Sequence, residues 1–164
     1  MRSDYQASLF FAGIAGALLL CGLTYYVAFR TARPALVERL HLGPLALAGS
    51  VERSAFLGSL PNLIHVTALG LLTCALLRPS VLYALAAGAA WASIDVLWEL
   101  SCANDQAWLR RAGELIGVGS VPACTYDPWD IVASVAGAAA VTCIAWFVLR
   151  VQSNSRSIAR GLQR

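Results

Sequence analysis

Polar side chains that can bind or catalyse are few in this sequence, and they lie near the ends of long apolar stretches. The set comprises Asn62, His65, Asp95, Glu99, Asp127 and Asp130. One histidine with several carboxylates can hold a hard or borderline divalent ion, or supply a general base and a general acid. The sequence contains no H-E-x-x-H, G-x-S-x-G, Walker or C-x-x-C motif. These residues therefore indicate a polar site without specifying a reaction, a cofactor or a metal.

The composition indicates a membrane protein. Of the 164 residues, 59% are hydrophobic and 13% are charged, and the mean hydropathy is +0.66. A soluble domain has about 45–50% apolar and about 25% charged residues, so a soluble globule of this size could not bury the excess. Four apolar stretches can cross a bilayer core of about 30 Å as α-helices. They cover residues 8–29, 55–77, 80–100 and 129–149, with long connections at 30–54 and 101–128 and a polar, arginine-rich tail at 150–164. The sequence predicts an all-α bundle of four transmembrane helices in a single membrane domain, 1–164.

Small residues within these stretches predict close packing between helices. They are Gly13 and Gly16 in the first stretch, Gly88 in the third, and Ala133 with Gly137 in the fourth. Small residues allow helix backbones to approach each other in a membrane, above all where two stand four positions apart, as Ala133 and Gly137 do. We therefore expect these positions to lie at helix–helix contacts.

The topology brings the polar residues into one half of the bilayer. The second stretch enters from the side of the long connections and carries Asn62 and His65 about 10–15 Å below that face, at 1.5 Å per residue. The third stretch ends on the same side with Asp95 and Glu99, which are four residues apart and so share a helical face. The fourth stretch begins there after Asp127. Because ionisable groups are costly inside a bilayer, we expect a polar cleft that is open to the long-connection side.

Each of these residues also has a structural interpretation. Asp127, Pro128 and Asp130 match the start of a helix, with an acid at the N-cap, proline at the first helical position and an acid in the first turn. His65 can form a hydrogen bond between helices, and Asn62 can satisfy backbone groups freed by the proline that precedes it. Both the structural and the functional interpretations stay open at this point.

The basic residues are all arginines, and the net charge is +3. They flank the apolar stretches and form no basic stripe, which indicates membrane anchoring and not nucleic-acid binding. They divide equally between the two sides, so arginine counting does not orient the chain. Cys102 and Cys124 bracket the second long connection. They would form a disulfide if that side is oxidising and would stay thiols if it is reducing. We expect both termini on the cytoplasmic side.

The polar segments resemble those of the VanZ-like family of small bacterial membrane proteins. Residues 130–137, DIVASVAG, are similar to the family's late-helix pattern D-[VI]-x-x-N-x-x-G, and Asp127 matches its preceding acid. Residues 94–100, IDVLWEL, resemble the segment that carries the family's glutamate. Residues 62–65, NLIH, resemble its K-x-x-H. The resemblance covers roughly residues 59–139, about half of the chain.

Two positions depart from the family's pattern. Asn62 stands where lysine is usual, and Ser134 stands where asparagine is usual. Both keep a hydrogen-bonding group, but Asn62 removes a positive charge. The resemblance implies a multi-pass protein of the bacterial cytoplasmic (inner) membrane, a role in the cell envelope and an association with glycopeptide antibiotic resistance. It implies a polar site more than it implies a reaction.

Three hypotheses about function are open from the sequence. In the first, the cleft binds a lipid headgroup, an envelope precursor or a small ligand. The contacting residues would be His65, Asp95, Glu99 and Asp130, with Asn62 and Asp127. In the second, the protein is an intramembrane enzyme that uses Glu99 or His65 as the base. In the third, it is an accessory structural subunit of a homo-oligomer or membrane complex, and its polar groups tie helices together. The lipid bilayer is a partner in all three.

Overall fold

Helices make up all the regular structure in the described part of the chain. The computed structural model describes residues 2–29, 55–103 and 126–161. In chain order, the helices are α1 (Arg2–Phe29), α2 (Ala55–Gly58), α3 (Leu60–Leu77), α4 (Val81–Ala103) and α5 (Pro128–Gly161). All except the short α2 are long and apolar enough to cross a membrane. The prediction of an all-α bundle with four transmembrane helices is confirmed.

The first and last helices extend beyond the predicted apolar stretches. α1 begins at Arg2 and not at residue 8, and α5 continues to Gly161 and does not stop at residue 149. Hydropathy marks the part of a helix that lipid surrounds, whereas backbone hydrogen bonds continue into polar residues of adequate helix propensity. With 34 residues, α5 is about 51 Å long, which exceeds the bilayer core of about 30 Å. Most of the predicted tail is therefore the end of this helix.

A proline separates α3 from α4. The preceding residue, Arg78, has extended backbone with φ −165° and ψ 126°, because a residue before proline is disfavoured in the helical region. Ser80 then caps α4, since its hydroxyl oxygen accepts a hydrogen bond from the Tyr83 N–H at 3.1 Å. The short turn makes α3 and α4 antiparallel neighbours. The Trp91 indole N–H donates to the Thr73 hydroxyl across their contact at 3.0 Å.

The central helix of the bundle is α3. It packs against α1, α4 and α5, and α4 and α5 also pack on each other, whereas α1 makes few contacts outside α3. The Tyr25 hydroxyl near the end of α1 donates a hydrogen bond to the Leu57 carbonyl of α2. The C-terminal ends of α1 and α4 therefore lie at the same end of the bundle as the N-terminal ends of α3 and α5. We call this end of the bundle the site end.

The apolar core lies toward the end of the bundle opposite the site end. Its buried members are Phe11, Ala15, Leu71, Cys74, Ala84, Val141, Ala145 and Val148. Large apolar side chains also cover the outer surface, and Leu76 and Leu82 are 77% and 74% exposed. Such an outer surface suits contact with lipid tails, which are as apolar as leucine. The apolar core and the polar residues thus occupy different halves of the bundle.

Close backbone approach occurs at two of the predicted glycines. A Cβ added to Gly88 would lie 3.0 Å from a carbonyl oxygen of α5, and one added to Gly137 would lie 2.9 Å from a carbonyl oxygen of α3. At Gly13 and Gly16 an added Cβ would meet no atom within 4 Å. The prediction for Gly13 and Gly16 was wrong, because a different face of α1, which includes Phe11, packs against the core.

Candidate functional site

Glu99 lies in the last turns of α4 and is almost completely buried, with 7% of its surface exposed. Its Oε2 accepts a hydrogen bond from the backbone N–H of Asp127 at 3.3 Å. This bond joins the end of α4 to the start of α5. The predicted proximity of these two residues at the site end is therefore present in the structure.

Asp127 also caps α5. Its Oδ1 accepts a hydrogen bond from the Trp129 N–H at 2.9 Å, and its carbonyl oxygen accepts one from the Asp130 N–H at 3.0 Å. These bonds satisfy backbone donors that the first turn of a helix leaves open. The structural interpretation of Asp127 is thus correct. The backbone N–H of Asp127 also donates the hydrogen bond to Glu99.

Ser134 connects Asp95 of α4 to α5. Its side chain is fully buried, and its hydroxyl oxygen lies 3.1 Å from Asp95 Oδ2 and 2.8 Å from the Asp130 carbonyl oxygen. A serine hydroxyl has one hydrogen, so these two acceptors share one donor. Ser134 was not among the predicted site residues. Two signals were available: its spacing of four from Asp130 and its position where the similar family pattern has asparagine.

His65 and Asp130 lie within electrostatic range of Asp95, and Glu99 lies within range of Asp95, Asp127 and Asp130. The structure thus brings the predicted histidine and all four predicted carboxylates into one neighbourhood. Their surroundings differ: the His65 side chain is exposed, whereas the Asp130 side chain is half-buried. Among the described residues of this neighbourhood, the four carboxylates outnumber the one histidine, which favours positively charged groups.

A cleft of about 310 Å³ opens beside this network, between α3 and α4. Its lining consists of Asn62, Ile94, Asp95, Trp98 and Glu99. Three of the six predicted site residues therefore line the cleft, and His65, Asp127 and Asp130 lie outside its lining. Trp98, which is 40% exposed, also lines the cleft and was not among the predicted site residues. A hydropathy pattern does not reveal which tryptophan faces a polar cleft.

Each carboxylate in the cleft uses one oxygen for the protein. Asp95 Oδ2 accepts a hydrogen bond from the Ser134 hydroxyl, and Glu99 Oε2 accepts one from the Asp127 N–H. Within the described residues, Asp95 Oδ1, Glu99 Oε1 and the Asn62 side-chain amide make no hydrogen bond. An isolated polar group is costly to bury in an apolar environment. The cleft therefore offers two carboxylate oxygens and an amide to a polar ligand.

Metal binding and nucleophilic catalysis have less support in this geometry. Among residues 2–29, 55–103 and 126–161, no group of three or more His, Cys, Asp or Glu side chains could hold a metal ion. The Ser134 hydroxyl contacts a carboxylate and a backbone carbonyl and is fully buried. An activated serine needs a general base that can accept its proton and a substrate that can reach it. The geometry favours binding over covalent catalysis.

Cys102, one turn beyond Glu99, is disulfide-bonded. Cys124 lies outside the described residues, so its predicted pairing with Cys102 is not described. The cysteines Cys21, Cys74 and Cys143 are free thiols. The disulfide therefore lies at the site end of the bundle, in the last residues of α4.

Comparison with protein-family models, with curated proteins and with solved structures finds no match for this chain.

Proposed function

We propose that this chain is a VanZ-like membrane protein of the bacterial cell envelope that binds a polar headgroup or small polar ligand in the cleft between α3 and α4. The observation that carries the proposal is the cleft itself, which is lined by Asn62, Asp95 and Glu99 at a depth where most side chains are apolar. Polar residues within membrane helices are rare and commonly mark ligand or ion sites. The site would receive its ligand from the side of the long connections.

The orientation belongs to the same proposal. Disulfides persist on the oxidising side of a membrane, and Cys102 is disulfide-bonded at the site end. This supports a topology in which the site end faces away from the cytoplasm and both termini are cytoplasmic. In the bacterial cytoplasmic membrane, the cleft would then open toward the envelope. A headgroup of the outer leaflet or an envelope precursor would be able to reach it.

A second candidate is an accessory structural subunit, and two hydrogen bonds favour it. Glu99 and Asp95 each form a bond between α4 and the α5 segment. Under this alternative, the carboxylates serve to hold helices together, and the cleft contains water alone. The two candidates predict different effects of a conservative substitution such as Glu99→Gln. A binding site would lose its ligand, whereas a structural contact would lose stability.

Native mass spectrometry of the gently extracted protein separates the two candidates. We expect a stoichiometric non-protein adduct on the wild type and on Asn154→Ala, a control in the exposed part of α5. The adduct should be absent from Glu99→Gln, because the substitution removes the charge that faces the cleft while keeping the side-chain shape. Bare wild-type protein, together with a large loss of stability in Glu99→Gln, would contradict the proposal and support the structural role.

A further inference from the structure

We infer that the group held in the cleft is a primary ammonium, an inference that rests on the proposed binding function. The cleft is lined by two carboxylates whose free oxygens require hydrogen-bond donors. Glu99 is more than nine-tenths buried, and its Oε1 has no hydrogen-bond partner in the described part of the chain. A carboxylate oxygen on such a largely buried side chain is stabilised by an N–H donor that carries a positive charge.

The charge of the surroundings supports a cation. Asp127 and Asp130 lie within electrostatic range of Glu99, and both are acidic. Among the described residues that line the cleft there is no arginine. An anionic phosphate or carboxylate placed here would meet like charges at short distance, which is unfavourable in an environment of low dielectric constant. The negative charge of these described residues therefore favours a ligand of positive charge.

The two other polar or aromatic lining residues suit an ammonium group. Trp98 contributes an indole ring, and a cation within about 6 Å of such a ring is attracted to its face. Asn62 contributes a side-chain amide whose oxygen can accept a third N–H bond. A primary ammonium has three N–H donors, and the cleft offers two free carboxylate oxygens and one amide oxygen. The donor and acceptor counts match.

The groups that line the cleft disfavour two other cations, a quaternary ammonium and a divalent metal ion. A quaternary ammonium has no N–H group and would leave the carboxylate oxygens without hydrogen bonds. A divalent metal ion takes several oxygen ligands, and the described residues contain no group of three or more His, Cys, Asp or Glu arranged to hold one. The volume of about 310 Å³ equals that of about ten waters in the liquid. An aminoethyl group fits within it.

The ammonium can come from two sources, an aminoethyl lipid headgroup or a free amine in the aqueous phase. Asp95 and Glu99 lie in the last turns of α4, near the membrane surface, where both are available. The test uses delipidated protein in detergent and dioleoyl phosphatidylethanolamine, phosphatidylcholine and phosphatidylglycerol, which have the same acyl chains. Native mass spectrometry gives the affinity for each lipid. Ethanolamine, choline and Mg²⁺ without lipid are tested separately by thermal unfolding.

We expect phosphatidylethanolamine to bind about 10- to 100-fold more tightly than phosphatidylcholine, which is the effect of one or more charge-assisted hydrogen bonds. Glu99→Gln and Asn62→Ala should each reduce this preference about tenfold or more, and Asn154→Ala should not. Circular dichroism of each variant checks that it is folded. Because two lining residues are substituted independently, the test remains decisive if one variant misfolds. Stabilisation by ethanolamine alone would identify a free amine as sufficient, and binding of the lipid alone would identify the headgroup.

Three results would overturn the inference in different ways. Equal or tighter binding of the choline or glycerol lipid, lost in Glu99→Gln, would refute the ammonium and leave the proposed function standing. Stabilisation by Mg²⁺ alone, also lost in Glu99→Gln, would replace the ammonium by a metal ion. Absence of any Glu99-dependent binding would refute the ammonium and the proposed function together.

Discussion

The contact between α3 and α5 predicts a specific cost for adding one methyl group at Gly137. An added Cβ would lie 2.9 Å from the Leu63 carbonyl oxygen and 3.0 Å from Val66 Cβ. The Leu63 oxygen belongs to the backbone and cannot rotate away, so α5 must withdraw by about 0.5 Å to reach ordinary van der Waals separation. Overpacking of this kind costs about 1–3 kcal/mol. We therefore expect Gly137→Ala to separate the two helices directly below the site.

The matched control is Gly13→Ala, where an added Cβ meets no atom within 4 Å. Both substitutions gain the same helix propensity, which is about 1 kcal/mol in a helix interior. The difference in the free energy of unfolding between the two variants therefore reports the cost of overpacking alone. We expect Gly137→Ala to be about 1–3 kcal/mol less stable than Gly13→Ala. The free energy of unfolding is measured by circular dichroism during sodium dodecyl sulfate titration in mixed micelles. If the two variants were equally stable, the packing of α3 on α5 described above would be wrong.

Three further predictions test the network, the orientation and the α1 contact. A double-mutant cycle of Asp95→Asn and Ser134→Ala should give a coupling energy of about 0.6–1.7 kcal/mol, and additivity would show that their hydrogen bond does not contribute. A membrane-impermeant maleimide added outside intact cells should label Cys102 and its disulfide partner after reduction and neither before, and labelling of the wild type without reduction would contradict the disulfide. Cys102→Ser releases the partner thiol, so this variant should be labelled without reduction. Tyr25→Phe should lower the free energy of unfolding by about 1 kcal/mol, since it removes the hydrogen bond to the Leu57 carbonyl, and unchanged stability would argue against that bond.

The sequence was sufficient to predict the architecture and the location of the polar site. Length and hydropathy predict four spans, and the alternation of chain direction brings Asp95, Glu99 and Asp127 to one end. These inferences depend on constraints that act along the chain, namely bilayer thickness and helical rise. Where the helices begin and end was harder to predict, because polar residues such as those after Arg150 continue a helix without an apolar signal.

The internal contacts of the site could not be predicted in the same way. Ser134 is a small hydroxyl residue in an apolar stretch, and such residues commonly bond to their own backbone four positions earlier, as it also does. Its second partner, Asp95, depends on how α4 rotates against α5, which no local pattern encodes. Likewise, Gly70 packs against Val141 of α5 although no Gly, Ala, Ser or Thr precedes or follows it at a spacing of four. Rotation about helix axes is set by tertiary packing, so the lining of the cleft required the structure.

The most direct test of the central claim is an experimental structure of the protein in lipid nanodiscs that contain phosphatidylethanolamine. We expect non-protein density in the cleft between α3 and α4, with an atom at about 2.7–3.2 Å from carboxylate oxygens of Asp95 and Glu99. The density should be missing when Glu99→Gln is prepared in the same nanodiscs. A cleft that is closed by Trp98 in the wild type, or density that is identical in the variant, would contradict the claim.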